Sequence, residues 1–233
     1  IIGTSAGTRL LEIKTGEVRN LHLANQKLGQ HSRNVKQLHL DKQGQLWVGT
    51  VAGLFRFQRH QVDALLKGDN EPVAELIIDG LNIWHILPDG DDLLLGTSQG
   101  LYRLDADQNL QYVLRLSDSQ YHISDDSILQ ILKDKQGNLW MATKSDGVLR
   151  WSEDSARFAN LHKKSRIGKA LNHDSIWNLH QDEQGMLWIG SEDGLNRYDP
   201  ETREMLSFPF LYLNNNFIWV ETMKTNLALK HIL

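Results

Sequence analysis

The chain has no cysteine among its 233 residues, which removes disulfides, thiolate nucleophiles and cysteine-ligated metals together. It leaves the compartment open, because exported bacterial proteins can lack cysteine too. Positive charge is not in excess: 25 Lys and Arg against 29 Asp and Glu give a formal charge of −4. With no extended basic run, neither nucleic acid nor an anionic membrane surface is an expected partner. No apolar run approaches the ~20 residues that a membrane helix needs. The opening Ile1-Ile2-Gly3-Thr4 has neither the basic start nor the apolar stretch of a signal peptide, and the chain reads as cut from a longer protein. Gly-x-Ser-x-Gly and phosphate-cradling glycine loops are missing as well, so no nucleophilic or phosphoryl-transfer machinery is visible. What remains is 40% hydrophobic and 23% charged, enough apolar matter to bury a core in an ordinary globular chain.

The chain repeats itself. IIGTSAG from Ile1, LWVGTVAG from Leu46, LLLGTSQG from Leu93, LWMATKSDG from Leu139 and LWIGSEDG from Leu187 align on Gly3, Gly49, Gly96, Ala142 and Gly190, with spacings of 46, 47, 46 and 48 residues. A second match precedes each later copy: VKQLHLDKQG from Val35, IWHILPDGDD from Ile83, ILQILKDKQG from Ile128 and IWNLHQDEQG from Ile176. Each unit parses as an apolar strand, an Asp-containing turn, a Leu-Trp-x-Gly strand, a glycine turn and a strand such as LFRF or NRYD. A fourth strand fits 110–116 and 205–210. The runs are too short for a helical stripe, and glycines recur at fixed turn offsets. The expected fold is all-β: a β-propeller of four-stranded blades, five repeats of about 47 residues over residues 1–216, either a small closed ring or part of a larger one.

The best copy, Ile176 to Arg197, reads I-x-x-L-x-x-D-x-x-G-x-L-W-x-G-S-x-x-G-L-x-R and resembles the two-component regulator propeller repeat. That family forms the sensor part of bacterial membrane-bound histidine kinases, hybrid two-component proteins and some diguanylate cyclases. The resemblance implies a non-catalytic sensor or ligand-binding propeller in the periplasm, the extracytoplasmic part of an inner-membrane protein. Its partners would be other propeller or signalling domains of the same protein. Rings of this family usually have seven blades. The sequence after Ile218-Trp219 leaves the pattern, and 217–233 reads as the first strand of a sixth repeat or a closing strand, then an irregular tail. An open sheet edge there also invites a homodimer.

Repeated residues serve the scaffold. Trp47, Trp140 and Trp188, with Leu94 at the same place in the third copy, are expected to fill space between blades. The glycines at 7, 53, 100, 147 and 194 are expected at positive φ. Asp41, Asp89, Asp134 and Asp182 are expected to satisfy turn backbone, with Arg56, Arg103, Arg150 and Arg197 as nearby partners.

Specificity is expected where the copies differ, in two loop sets at one rim. The loops leading into each first strand contribute Arg33, Asn34, Asn82, Asp126, Asp174 and Asn216; the glycine turns contribute Gln99, Lys144 and Glu192; and Trp84, Trp177 and Trp219 follow the lead-in loops directly. Aromatic faces beside amides and carboxylates suit a small polar ligand, carbohydrate included, although packing between blades is the favoured reading of the tryptophans, since apolar residues entering the innermost strand are usually core. No cofactor is implied, and the ten histidines show no metal-ligand spacing. Two alternatives stand. One is a lyase-type enzyme with a rim metal, as in the streptogramin lyase propellers, for which His173 and Glu192 would be the pair. The other is a protein-binding scaffold.

Overall fold

The computed structural model describes residues 1–5, 7–11, 13, 15–21, 34–67, 72–114, 127–152, 157–165, 170–209, 211–213 and 216–218. They form a series of antiparallel sheets in which strands follow one another in chain order. The first sheet has three strands, β1 (Ile2–Thr4), β2 (Gly7–Leu11) and β3 (Val18–Leu21). The second joins β4 (Val35–Leu40), β5 (Leu46–Thr50), β6 (Gly53–Phe57) and β7 (Glu75–Asp79), with one helix, α1 (Arg59–Lys67), inserted before its last strand. The third holds β8 (Ile83–Asp89), β9 (Asp92–Thr97), β10 (Gly100–Leu104) and β11 (Leu110–Leu114). The fourth holds β12 (Ile128–Lys133), β13 (Leu139–Thr143), β14 (Val148–Ser152) and β15 (Arg157–Leu161). The fifth holds β16 (Ile176–Gln181), β17 (Leu187–Ser191), β18 (Gly194–Tyr198) and β19 (Met205–Pro209). A short hairpin, β20 (Leu211–Leu213) with β21 (Asn216–Ile218), follows.

The sheets pack face to face. Trp47, Leu54 and Ile78 of the second sheet share a core with Ile83, Ile86, Leu93 and Leu95 of the third. Leu94 and Leu101 of the third share one with Ile128, Ile131, Met141 and Leu149 of the fourth, and Trp140, Ala142 and Val148 of the fourth with Ile176, Leu179 and Ile189 of the fifth. Each core thus lies between neighbours, and the first strands β4, β8, β12 and β16 touch one after another. Four-stranded antiparallel sheets stacked in sequence with their first strands together are the blades of a β-propeller. Ile83, Ile128 and Ile176 open these strands fully buried, each worth about 1.5–3 kcal/mol of burial. Ile83 and Ile128 reach the preceding blade because it offers no side chain there: a Cβ on Gly49 would stand 3.1 Å from Ile83 Cγ2 and 3.2 Å from its carbonyl oxygen, and one on Gly96 2.9 Å from the Ile128 carbonyl oxygen, whereas Ile176 packs with Ala142.

The spacing of the Asp and Trp in three blades has a hydrogen-bond reason. Trp47 Nε1 donates to Asp41 Oδ2, Trp140 Nε1 to Asp134 Oδ2 and Trp188 Nε1 to Asp182 Oδ2, each at 2.8 Å. The other oxygen of each carboxylate accepts the backbone N–H four residues on, from Gln45, Asn138 or Met186. Six residues separate donor and acceptor every time, so the turn and the tryptophan are one unit. The expected Asp–Arg partnership therefore holds only in the third blade, where Leu94 offers no indole. There Asp89 lies 3.3 Å from Arg103 Nη1 and also meets Lys133. In the other three blades the arginine lies over the indole: Arg56 on Trp47 at 5.3 Å, Arg150 on Trp140 at 5.5 Å and Arg197 on Trp188 at 5.9 Å.

All five turn glycines have positive φ. The residue that follows each Gly or Ala anchor closes the same turn, since the hydroxyls of Thr4, Thr50, Thr97, Thr143 and Ser191 each donate to the carbonyl of the turn glycine. Helix α1 departs from the strand-only expectation. Its Val62 and Leu65, three apart, are buried with Phe55 and Phe57, so the insertion extends its own blade's core.

Neighbouring first strands are also clasped by polar side chains. The Gln37 amide accepts from Ile86 N–H at 2.6 Å and donates to Ile86 C=O at 3.1 Å. Gln130 does the same to Leu179, at 2.5 and 3.2 Å. Between the third and fourth blades His85 takes this place, its Nδ1 accepting from Ile131 N–H at 3.4 Å. Enclosure, and secondarily the nearby His39, pull the His85 pKa down to about 4 from 6.5; burial lowers His39 as well. Above pH 6.5 His85 is neutral folded or unfolded and contributes no pH dependence. As pH falls from about 6.5 to 4 the unfolded chain takes up the proton and the folded chain does not, so stability declines by up to about 3 kcal/mol and then levels. Urea unfolding at pH 7, 5.5 and 4 should show that His85→Gln removes this decline and, with both clasp bonds available, is at least as stable as the parent at pH 5.5. An unchanged pH slope would refute the assignment.

Candidate functional site

The two loop sets do meet at one rim, through the backbone. Val51 N–H donates to Asn34 C=O at 3.2 Å, Ser98 N–H to Asn82 C=O at 3.1 Å, Gly147 N–H to Asp174 C=O at 2.8 Å and Glu192 N–H to Ser175 C=O at 3.1 Å. The lead-in loops of the second, third and fifth blades are thereby pinned to glycine turns, that of the fifth blade twice, the third of these bonds crossing from one blade to the next. The side chains on this frame are the variable ones.

Just inside the rim, every first strand carries a bulge at its second residue. Val35 pairs Thr50 while Gln37 pairs Gly49, leaving Lys36 unpaired; Trp84, Leu129 and Trp177 are the same in their blades. A bulge re-aims one side chain without ending the ladder, so the second position, which reads Lys, Trp, Leu and Trp in the four strands, is one the backbone turns out of register. Lys36 and Trp84 meet across two blades, Nζ 4.5 Å from the ring centroid. Trp84 is half-buried, and its Nε1 and the Asn82 Oδ1 are enclosed with no hydrogen-bond partner among the described residues. Trp177 is 59% exposed.

Of the other rim candidates, Gln99, Lys144 and Glu192 are exposed, while Asn34 and Asp174 are half-buried. Asp174 Oδ1 accepts from Lys163 N–H at 2.6 Å. Asn216 lies in β21, where it pairs with Leu213 of β20. Arg33, Asp126 and Trp219 lie outside the described residues.

The fifth blade's lead-in loop is held by a polar cluster. Asn196, fully buried, stands where Phe55, Tyr102 and Leu149 stand in the earlier blades. Its Nδ2 donates to Asn172 Oδ1 at 2.6 Å and its Oδ1 accepts from Asn172 N–H at 3.2 Å. Ser191 Oγ lies 2.7 Å from the same Asn172 Oδ1, and Ser207 Oγ donates to Asn196 Oδ1 at 2.9 Å. In sequence Asn196 is a deviation in the LNR triplet; in the fold it positions the loop carrying His173, Asp174 and Ser175. A small amide at a position that is Phe, Tyr or Leu in the second to fourth copies was the signal available for it.

His173 and Glu192 are brought near each other, 3.9 Å from Nδ1 to Oε2. That distance exceeds a hydrogen bond, and Nδ1 already accepts from Ser175 N–H at 2.9 Å. The nitrogen facing the carboxylate is thus engaged as a turn acceptor. Among the described residues no group of three His, Cys, Asp or Glu is placed to hold a metal.

The comparisons with known proteins match this geometry. The two component regulator propeller model matches residues 29–52, 122–145 and 170–193, each span running through a lead-in loop, first strand or Leu-Trp strand of a repeat. No curated protein is similar to the chain at a significant level. Among solved structures, virginiamycin B lyase from Staphylococcus aureus, in a catalytically inactive form with quinupristin, is 13% identical with a TM-score of 0.60, over 88% of this chain and 64% of that one. The extracellular domain of a B. thetaiotaomicron protein described as a hybrid two component system, BT4673, is 19% identical with a TM-score of 0.46, over 88% of this chain and 33% of that one. A second such domain, BT3049, is 18% identical with a TM-score of 0.40, over 92% and 31%. This chain therefore spans about a third of the length of those domains. At such identities the likeness is one of fold. The three matched spans lie on the structural repeat, so in those spans the chain carries the two component regulator propeller pattern.

Proposed function

We propose that the chain is a non-catalytic sensing propeller from the extracytoplasmic part of a bacterial two-component or cyclic-di-GMP signalling protein anchored in the inner membrane. Its ligand is a small polar molecule, a carbohydrate by class, taken at the rim around the fifth blade. One observation carries this reading: the repeated residues are satisfied inside the blades, whereas the variable ones on the pinned loops face solvent, with Trp177 at 59% exposure and the exposed Glu192 on the same blade. An indole face with amides and a carboxylate at its edge stacks against one surface of a sugar and hydrogen-bonds the other. The engaged Nδ1 of His173 favours binding over general-base chemistry at that rim. Signalling would require the ligand to bind one packing of the propeller against its neighbours more tightly than another, those neighbours being further propeller or output domains of the same protein.

The test is titration of the labelled chain with a panel of neutral and acidic oligosaccharides, read by amide shifts. Shifts at 172–177 and 192–193 are expected, with Trp177→Ala weakening binding about tenfold, the loss of roughly 1.4 kcal/mol of stacking. A panel without rim shifts removes the carbohydrate reading. Conversion of any sugar by the chain alone removes the non-catalytic one.

A further inference from the structure

The rim is not uniform in charge. Its fifth-blade side carries Asp174, Glu192 and Asp193, whereas the second- and third-blade side has no carboxylate on 34–36, 51–52, 81–84 or 98–99. Lys36 is the one ion among those residues, and its ammonium lies 4.5 Å from the centroid of the Trp84 ring. Two polar atoms of the third blade's entry segment, the indole Nε1 of Trp84 and the side-chain oxygen of Asn82, are enclosed with no hydrogen-bond partner among the described residues. An enclosed donor or acceptor left unpaired is costly, and in native folds such atoms generally meet a water, an ion or a ligand. The backbone that carries them is fixed: Asn82 C=O accepts from Ser98 N–H at 3.1 Å, Ile83 between them is fully buried, and the bulge turns Trp84 out of the ladder. Trp177, at the same bulge in the fifth blade, is 59% exposed, so the enclosure is particular to the third.

These groups offer two donors, one of them a cation, and one acceptor. We propose that the rim between the second and third blades is a binding site for a small carboxylate carrying a nearby hydroxyl group. One carboxylate oxygen accepts from Trp84 Nε1, the other meets Lys36 Nζ, and the hydroxyl donates to Asn82 Oδ1. Lys36 leaves the ring as the ligand enters, because its contact with a half-buried indole is weak and a charge-assisted hydrogen bond to a carboxylate is stronger. A neutral sugar gives Lys36 no counter-charge, and a plain carboxylate leaves Asn82 unpaired, so selectivity needs both groups. The site is separate from the carbohydrate site proposed on the fifth blade, where Glu192 and Asp193 disfavour a carboxylate.

The test is titration of the isotope-labelled whole chain with lactate, glucuronate, acetate and glucose, read at the Trp84 indole N–H signal, which Trp84→Phe assigns. That signal should move with lactate or glucuronate, respond to acetate with at least about tenfold weaker affinity, and ignore glucose. Glucuronate acting without lactate identifies a sugar acid as the source, and lactate acting without glucuronate a free hydroxy acid; either supports the site. Lys36→Met should weaken binding at least about tenfold and Lys36→Arg retain most of it, while added salt weakens binding to the parent chain. Asn82→Ala should bring lactate down to the level of acetate. A Trp84 indole signal unmoved by every carboxylate, or moved equally by glucose, overturns the proposal and leaves a bridging water only. A response confined to the Trp177 signal belongs to the fifth blade and overturns this site without touching that reading. Should Lys36→Met or Asn82→Ala fail to fold, the four titrations and the salt dependence of the unsubstituted chain decide.

Discussion

Asp134→Ala is expected to lower the unfolding free energy by about 3–5 kcal/mol, the cost of leaving buried donors without acceptors. Oδ1 of Asp134 accepts from the N–H groups of Asn138 at 2.8 Å and Gln136 at 3.0 Å, and Oδ2 from Trp140 Nε1 at 2.8 Å. The Asn138 amide donates to both oxygens. Asn138 is 7% and Trp140 2% exposed, so water cannot take over the lost bonds. Asp89→Ala is the comparison. Its partners Arg103 and Lys133 are long, partly exposed cations that can turn to solvent, and the expected cost is below about 1 kcal/mol. Chemical denaturation of both variants measures the contrast. Equal losses would show that the indole–carboxylate bond is not what makes the Asp-x-x-Gly-x-Leu-Trp unit rigid.

The second large effect is expected at Gly147. Its φ is +76°, and an added Cβ would stand 2.1 Å from the carbonyl oxygen of Leu161 in β15. The conformational cost of a side chain at such φ is about 1–3 kcal/mol; the clash is additional, because β14 and β15 are paired and cannot part without breaking their ladder. Gly147→Ala should therefore cost upwards of about 3 kcal/mol, within the range of severe core lesions. Gly137, with φ +85° and open space around it, separates the two contributions: Gly137→Ala carries the conformational cost alone, about 1 kcal/mol. Thermal and urea unfolding of the pair should differ accordingly. Similar losses would mean that β15 yields easily to a side chain at 147.

The blades were legible because a blade is a local object. Four short strands joined by tight turns need their glycines, aspartates and apolar positions at fixed distances along the chain, and a repeat of about 46 to 48 residues prints those distances several times. The same logic located the rim, since the loops that vary between copies are adjacent within one unit. It failed for helix α1, an insertion present in one blade, which no repetition announces.

Three matters depended on neighbours that the chain order does not reveal. The aspartates could be read as turn acceptors, but which group would claim the second oxygen depended on whether an indole or an arginine reached it first. Asn196, a deviation in the LNR triplet, is fully buried, opposite Ile189, which packs against the preceding blade. Trp84 and Trp177 could be read as rim residues or as packing between blades, and the bulges that turn them and Lys36 out of register are not announced by the sequence.

By itself, then, the sequence determined the unit: how many strands a blade has, where each turns and which residues recur in it. The tertiary structure decided what those residues touch and which variable side chains reach solvent. Strand and turn propensities act over a few residues of backbone, whereas hydrogen-bond partners and burial are set by surfaces about 47 residues away along the chain that come together only when the sheets stack.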